Sequence, residues 1–179
     1  MSYQIIEADG SALQEACSIG SLTAKLLAAS NFSSEQIADL LDGSDEVRPS
    51  RCEAVDRCCR RLMQAKANQE KVFVAGDYDA DGICSTAIMK DLLDRLGISN
   101  GYYIPDRFKE GYGLSAATVE LVHQKGYHLI LTVDNGVKCQ EAIAKAHELG
   151  MEIIITDHHE IEEEIPADLL VHPDVMEPD

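Results

Sequence analysis

Residues 72–82 read VFVAGDYDADG, so a four-residue apolar run passes directly into three carboxylates on alternate positions. A short apolar run of this kind is typical of a strand that is buried on both faces of a parallel sheet. The side chains of Asp77, Asp79 and Asp81 then come where that strand ends. Because carboxylate oxygens are the ligands that hard divalent cations prefer, this placement predicts a metal site at the end of the strand.

Two later segments repeat the arrangement. Residues 134–136, Asp-Asn-Gly, follow the apolar run 129–133, and residues 157–159, Asp-His-His, follow the run 153–156. Parallel strands present their carboxyl ends along one edge of a sheet, and ligands bind in the crevice at that edge. We therefore expect the three clusters to converge, although each one alone also fits a turn, a helix cap or a pair of surface histidines.

The alternation of apolar runs with amphipathic stretches from residue 71 onward predicts an α/β fold. We expect a doubly wound, mainly parallel five-stranded sheet of Rossmann-like type in residues 71–179. Residues 1–70 look helical and carry no obvious chemistry, so we expect a helical extension that packs on the core and ends in a helix near 51–68. The predicted strands are 71–76, 101–104, 128–133, 152–156 and 168–172, and the helices between them lie near 83–96, 115–124 and 138–149.

The chain carries a net charge of −17, with 32 acidic against 15 basic residues. Phosphate binding normally draws on Lys and Arg, so this balance argues against a free-standing nucleic-acid binder. Bound divalent cations would invert the local potential at a carboxylate cluster and let a phosphate bind through the metal. The sequence shows no long uncharged apolar run and no signal-peptide pattern, so we expect a cytoplasmic protein without membrane contact.

The donor set indicates which metal is bound. Oxygen ligands with one or two imidazoles suit Mn²⁺ or Mg²⁺ better than Zn²⁺, whose structural sites prefer thiolate and histidine. Two such ions about 3.5–4 Å apart can clamp the attacking and leaving oxygens of a phosphoryl displacement. The three clusters hold just enough candidate ligands for two ions, and Mn²⁺ is the first choice.

Taken together, the three clusters resemble the first three motifs of the DHH phosphoesterase superfamily. Within it, residues 76–82, GDYDADG, and residues 103–114, YIPDRFKEGYGL, resemble the RecJ single-strand-specific exonucleases. The resemblance extends over nearly the whole chain, and residues 103–114 are its more specific part. It implies an enzyme dependent on Mn²⁺ or Mg²⁺ that removes nucleotides from the 5′ end of single-stranded DNA in repair and recombination. A single-strand-binding protein and a helicase are candidate partners, and a monomer is the favoured state.

The resemblance also implies roles for individual residues. Asp134 is the candidate carboxylate that bridges two ions, and it is counted as catalytic together with His158 and His159. His159 would contact the phosphate or the transition state, and the alternative is that it orients His158 through a hydrogen bond. The metal ligands carried over from the superfamily are Asp79, Asp81, Asp134 and His158, with Asp77 and Asp157 as further ligands or as supports of the ligands.

Candidate substrate contacts beside His159 lie in the segment after the second predicted strand. Arg107 and Lys109 would meet the DNA backbone, and Tyr112 would stack on a base, as aromatic side chains do in proteins that bind single strands. The alternative for all three residues is an ordered loop that is shaped by its glycines.

Two other functions stay open. One is a DHH phosphoesterase acting on oligoribonucleotides or cyclic dinucleotides, although those relatives usually carry a histidine several residues before an Asp-x-Asp, which is missing before Asp77. The other is a non-catalytic DHH scaffold, which should have lost ligands that are intact here. The superfamily pattern continues with a fourth aspartate motif and a second lobe. Neither follows residues 171–179, so we expect this chain to be the first lobe of a longer enzyme.

Overall fold

The computed structural model describes residues 8–30, 32, 34–42, 52–106 and 113–175. The chain divides into two compact units, Met1–Pro49 and Ser50–Asp179. No helix in the described part of the chain is long and apolar enough to cross a membrane. The described residues of the first unit form the helices α1 (Ser11–Cys17), α2 (Ser21–Ala29) and α3 (Ser34–Asp42).

The second unit is built on one five-stranded sheet with the strand order β2-β1-β3-β4-β5, in which every neighbouring pair is parallel. The chain steps from β1 to β2 on one side and later places β3 on the other side of β1, so the strand order reverses between β1 and β3. Its elements are α4 (Glu53–Ala67), β1 (Val72–Ala75), α5 (Ala80–Leu96), β2 (Asn100–Tyr103), α6 (Ala116–Gln124), β3 (Leu129–Val133), α7 (Gln140–Glu148), β4 (Glu152–Thr156) and β5 (Leu169–Val171), followed by a 3-10 turn at Pro173–Val175.

Helices cover both faces of this sheet, which confirms the predicted doubly wound α/β fold. Phe73 and Ile153 pack with α6 and α7 on one face, while Val74 and Ile154 pack with α4 and α5 on the other. Successive strand residues therefore point into different apolar layers, and all of β1 and β3 is buried. This double burial is the physical reason why the strands appear in the sequence as continuous apolar runs.

The predicted elements agree with the observed ones to within a few residues at their ends, and β4 has the predicted bounds. Helix α4, which the sequence placed in the extension of residues 1–70, lies in the second unit. Its residues Cys58, Leu62 and Ala65 join the apolar layer on one face of the sheet. The α/β unit thus begins near residue 50, and the packing of the helices before it stays a prediction.

Arg61 ties α4 to the start of β4. Its Nε and Nη2 donate to the Glu152 carboxylate at 2.8 and 3.1 Å, and its Nη2 donates to Glu70 at 2.7 Å. Only 12% of the Arg61 side chain is exposed. The guanidinium thus joins two carboxylates, and solvent screens the pair with Glu70, whose side chain is 19% exposed, less than the pair with Glu152, which is 51% exposed.

We expect Arg61→Ala to lower the free energy of unfolding by about 2 kcal/mol, because hydrogen bonds to charged groups contribute roughly that much. The matched control is Arg95→Ala. Arg95 pairs with Asp91 on α5, which packs on the same face of the sheet as α4, but its side chain is 78% exposed. That exposed pair should contribute about 0.5 kcal/mol or less to the free energy of unfolding. Urea denaturation of both variants measures the difference, and equal losses would rule out the role given to Arg61.

Candidate metal centre

Three carboxylates reach the same edge of the sheet. The parallel register aligns the last residues of β1, β3 and β4 to within one residue of each other. Asp77, Asp134 and Asp157 come one or two residues after these strands. The edge includes the point between β1 and β3 where the strand order reverses, which is where open α/β sheets bind their ligands.

A first group of donors consists of Asp77, Asp79 and Asp134. Each offers one carboxylate oxygen, and these three oxygens lie within 4.8 Å of one another. Asp77 and Asp134 are buried, whereas Asp79 is exposed. Asp79 also caps α5, because its Oδ1 accepts the N–H groups of Asp81 and Gly82 at 3.0 Å each. The helix start therefore fixes this carboxylate beside the two buried ones.

A second group consists of Asp134, His158 and His159, whose candidate ligand atoms also lie within 4.8 Å of one another. The Nε2 of His158 is 3.0 Å from Oδ1 of Asp134. The centroids of the two imidazole rings are 4.7 Å apart. Asp134 belongs to both groups, and a carboxylate shared by two donor sets is the arrangement that can bridge two cations.

Two carboxylate oxygens of the site are buried with no hydrogen-bond partner among the described residues, namely Oδ1 of Asp77 and Oδ2 of Asp134. A buried charged oxygen is costly unless it is paired, hydrogen-bonded or bound to a metal. The candidate ligand atoms are mostly carboxylate oxygens, which suit Mn²⁺ or Mg²⁺, with the imidazole nitrogens of His158 and His159 beside them. The residues present therefore fit a divalent cation.

The pKa shifts of the carboxylates also support a cation at this site. Burial raises the pKa of Asp77 and of Asp134, and the nearby Asp79 carboxylate raises both further. The pKa of Asp79 itself is lowered, chiefly by the hydrogen bond from the Gly82 N–H. A carboxyl group whose pKa is raised by folding contributes less to stability as the pH rises through that range. Near neutral pH the ionised carboxylates of Asp77 and Asp134 therefore oppose folding, and a cation bound to them would offset that cost.

Residues 71–177, more than half of the chain, match the N-terminal domain of the DHH family. The chain belongs to the DHH family. It is 39% identical over 165 residues to the single-stranded-DNA-specific exonuclease RecJ of Bacillus subtilis strain 168, and 38% identical over 125 residues to that of Escherichia coli strain K12. These alignments cover 90% and 69% of this chain but 21% and 22% of the two exonucleases. The chain thus spans about a fifth of the length of these relatives.

Solved structures agree with this assignment. A crystal structure of exonuclease RecJ bound to manganese matches with a TM-score of 0.67 and 34% identity, over 72% of this chain and 33% of that one. RecJ of Thermus thermophilus in complex with Mn²⁺ matches with a TM-score of 0.65 and 24% identity, over 97% of this chain and 25% of that one. The second match shows a common fold. The resemblance inferred from the three motifs is confirmed.

Asp157 is the first residue of the DHH motif, and both of its carboxylate oxygens accept hydrogen bonds from groups of this chain. Its Oδ2 accepts the N–H of Val137 at 3.0 Å, and its Oδ1 accepts the N–H groups of His158 and His159 at 2.7 and 3.2 Å. Nδ1 of His159 is 2.7 Å from the same Oδ1. Burial opposes ionisation of Asp157, but the hydrogen bonds from Val137 and His159 outweigh it, so its pKa is lowered. These contacts support an orienting role for Asp157, whose metal ligation stays a prediction.

The second histidine of the DHH motif is held by this carboxylate. The hydrogen bond to Asp157 raises the pKa of His159, although partial burial lowers it somewhat. The imidazole is therefore protonated over a wider pH range than a free histidine. A cationic ring at this position suits contact with a phosphate oxygen, whereas a metal ligand has to be neutral.

Asp81 lies apart from both donor groups. Its side chain is exposed, and its backbone N–H supports the Asp79 cap. It lines an open cleft of about 440 Å³ together with Asp134 and His158. Ligation by Asp81 therefore stays a prediction. The predicted substrate contacts Arg107, Lys109 and Tyr112 lie outside the described residues, and they stay predictions as well.

Asn135 fits a turn in the sequence, but its side chain joins the segments that carry the first two carboxylate clusters. Asn135 is fully buried. Its Nδ2 donates to the carbonyl oxygens of Ala75 at 2.9 Å and Val133 at 3.0 Å, at the ends of β1 and β3. The amide thereby sets the spacing between the segments that carry Asp77 and Asp134. A polar residue directly after a strand-end aspartate was the available signal.

We expect Asn135→Ala to lower the free energy of unfolding by about 1–3 kcal/mol, because it removes two buried hydrogen bonds and leaves two carbonyls without this donor. The same variant should bind Mn²⁺ more weakly. The matched control is Asn100→Ala on the edge strand β2, whose Nδ2 donates to Asp94 and to the carbonyl of Ile98. Urea denaturation and calorimetric titration measure both effects. Equal Mn²⁺ affinity in the two variants would show that Asn135 does not set the spacing.

Proposed function

We propose that this chain is the metal-binding catalytic lobe of an exonuclease that hydrolyses phosphodiester bonds from the 5′ end of single-stranded DNA in repair and recombination. The observation that carries the proposal is the pair of donor groups that share Asp134. The DHH family match and the RecJ exonucleases that the chain resembles supply the substrate class. A cytoplasmic location, and a single-strand-binding protein and a helicase as partners, stay predictions for the whole protein.

The cofactor of this proposal is Mn²⁺, or Mg²⁺, in two positions. A related RecJ structure is described as bound to manganese. In this chain Asp77, Asp79 and Asp134 would hold one ion, and Asp134 with His158 would hold the other. Bound there, two cations supply charge stabilisation for an in-line phosphoryl displacement and a water that is acidic enough to act as nucleophile near neutral pH.

The protein residues orient these donors and the substrate. Asp79 is fixed by backbone N–H groups at the start of α5, and His158 faces Asp134 at 3.0 Å. His159, which is held by Asp157 and has a raised pKa, would donate a hydrogen bond to a phosphate oxygen as charge develops there. Such a fixed donor stabilises the transition state without reorganising during the reaction.

The charge of the chain supports recognition through the metals. Lys138, which follows the Asp-Asn-Gly cluster closely, pairs with Glu162 at 2.5 Å. Lys145 pairs with Glu148 at 2.6 Å. Since the chain carries a net charge of −17, bound cations would provide much of the attraction for phosphate.

We expect Mn²⁺ to raise the free energy of unfolding by about 2.7 kcal/mol at a concentration of about 100 times its Kd, because it binds only the folded state. Asp134→Asn should abolish most of this gain. Asparagine tolerates the left-handed backbone that Asp134 adopts, with φ 61°. Without metal the variant should be at least as stable as the parent, since it removes a carboxylate whose pKa burial raises.

The control for this measurement is Asp91→Asn, which changes an exposed carboxylate on α5 that pairs with Arg95. It should leave the gain from Mn²⁺ unchanged. Urea denaturation with and without Mn²⁺ gives both quantities for each variant. A full gain from Mn²⁺ in Asp134→Asn would remove the basis of the shared site.

Cleavage is tested with single-stranded DNA labelled at either end and incubated with the protein and Mn²⁺. We expect release of labelled mononucleotide from the 5′ end. Asp134→Asn should lower the rate of release by at least about 100-fold, since removal of one group that stabilises developing charge costs at least that much. A panel of short RNA and cyclic dinucleotides runs in parallel. Preference for those substrates would favour the rival DHH phosphoesterase, and Mn²⁺ binding without any cleavage would show that this chain lacks part of the chemistry.

A further inference from the structure

His172, directly after β5, is a buried histidine whose side chain contacts the backbone of the DHH motif. Only 1% of it is exposed. Its Nε2 lies 2.7 Å from the carbonyl oxygen of His159. Its Nδ1 accepts the N–H of Asp174 at 3.1 Å. The Asp174 carboxylate is 3.8 Å from the same nitrogen, which is too far for a hydrogen bond.

These contacts decide which ring nitrogen carries the proton. Because Nδ1 of His172 accepts a backbone N–H, it has no proton of its own. The proton is therefore on Nε2, which donates to the His159 carbonyl. A carbonyl can only accept, so this arrangement satisfies both ring nitrogens of a side chain that has no access to water.

The backbone of the two motif histidines is thus held from two sides. Oδ1 of Asp157 accepts the N–H groups of His158 and His159, and His172 donates to the carbonyl of His159. The His158 side chain is itself 60% exposed, so packing contributes little to its position. Its placement 3.0 Å from Asp134 depends instead on where its backbone is fixed.

We propose that His172 is a positioning residue that holds the His158–His159 backbone and so keeps His158 beside Asp134. The residue acts through the His159 carbonyl and contacts neither the candidate ligand atoms nor the cleft. The preceding residue, Val171, joins the DHH motif to β5, because its carbonyl accepts the N–H of Asp157. Only the consequence for metal affinity rests on the proposed function.

Two substitutions separate the two hydrogen bonds of His172. The amide nitrogen of glutamine lies about as far along its side chain as Nε2 of histidine, so His172→Gln can still donate to the His159 carbonyl. The amide oxygen of asparagine lies about as far along as Nδ1, so His172→Asn can still accept from Asp174 but cannot reach His159. The matched control is His147→Asn, which removes a histidine paired with Asp168 at 3.1 Å, away from the DHH motif.

The first measurement is amide hydrogen exchange by NMR on the metal-free protein. We expect the N–H groups of His158 and His159 to exchange roughly fivefold faster in His172→Asn than in the parent, which is the effect of losing one net hydrogen bond on local opening. His172→Gln and His147→Asn should match the parent at these two amides. Unchanged exchange in His172→Asn, or equal acceleration in His172→Asn and His172→Gln, would overturn the proposal.

The second measurement is calorimetric titration with Mn²⁺. His172→Asn should raise the Kd about tenfold or more, as losses of residues that orient metal ligands do, while His172→Gln and His147→Asn stay close to the parent. A purely structural role would lower thermal stability in both His172 variants and leave the Kd unchanged, which would overturn the proposal. A parent protein that binds no Mn²⁺ would refute the proposed function, whereas the exchange rates would still decide the positioning role.

Discussion

Burial of carboxylate oxygens at the ends of parallel strands is the constraint on which the site depends. Asp77 and Asp134 each keep a buried oxygen that no donor in the described part of the chain satisfies, and burial raises the pKa of both groups. A fold tolerates such a cost where the strained groups serve a ligand. The doubly wound sheet makes the arrangement possible, because its central strands β1 and β3 end side by side at the point where the strand order reverses.

The side chains around these two carboxylates differ in the hydrogen bonds that they make. Asn135 directs its amide hydrogens to the ends of β1 and β3, and Asp157 directs both oxygens to backbone and imidazole donors. Asn135 and Asp157 are thus held by contacts within the chain, although Oδ1 of Asn135 has no partner among the described residues, whereas Asp77 and Asp134 each keep a buried oxygen without a hydrogen-bond partner. The division into hydrogen-bonded supports and unsatisfied ligands is what a preorganised metal site requires.

Much of this arrangement could be predicted from the sequence. Double burial makes strands visible as apolar runs, and the residue after each run must lie at the ligand edge, so Asp77, Asp134 and the Asp-His-His cluster were identifiable. The different roles of Asp77 and Asp157 were not, because both are strand-end aspartates, and the hydrogen bonds that Asp157 accepts from Val137, His158 and His159 are visible only in the structure. Nor could helical periodicity show that α4 belongs to the α/β unit rather than to the helices before it, since an apolar stripe does not specify its partner. Asn135 and His172 act through backbone carbonyl oxygens, so the partners of these two side chains could not be identified from the sequence.

The order of the strands has a kinetic consequence. Neighbouring strands in this sheet are far apart in sequence, since Val72 of β1 pairs with Leu129 of β3, and the last support of the DHH motif comes from beyond β5. Contacts of such long range form slowly, because the chain loses the entropy of loop closure before these contacts stabilise it. The donor atoms therefore come together only when β1, β3 and β4 have paired. A metal that binds this site would retard unfolding of the finished protein and would do little to speed its folding.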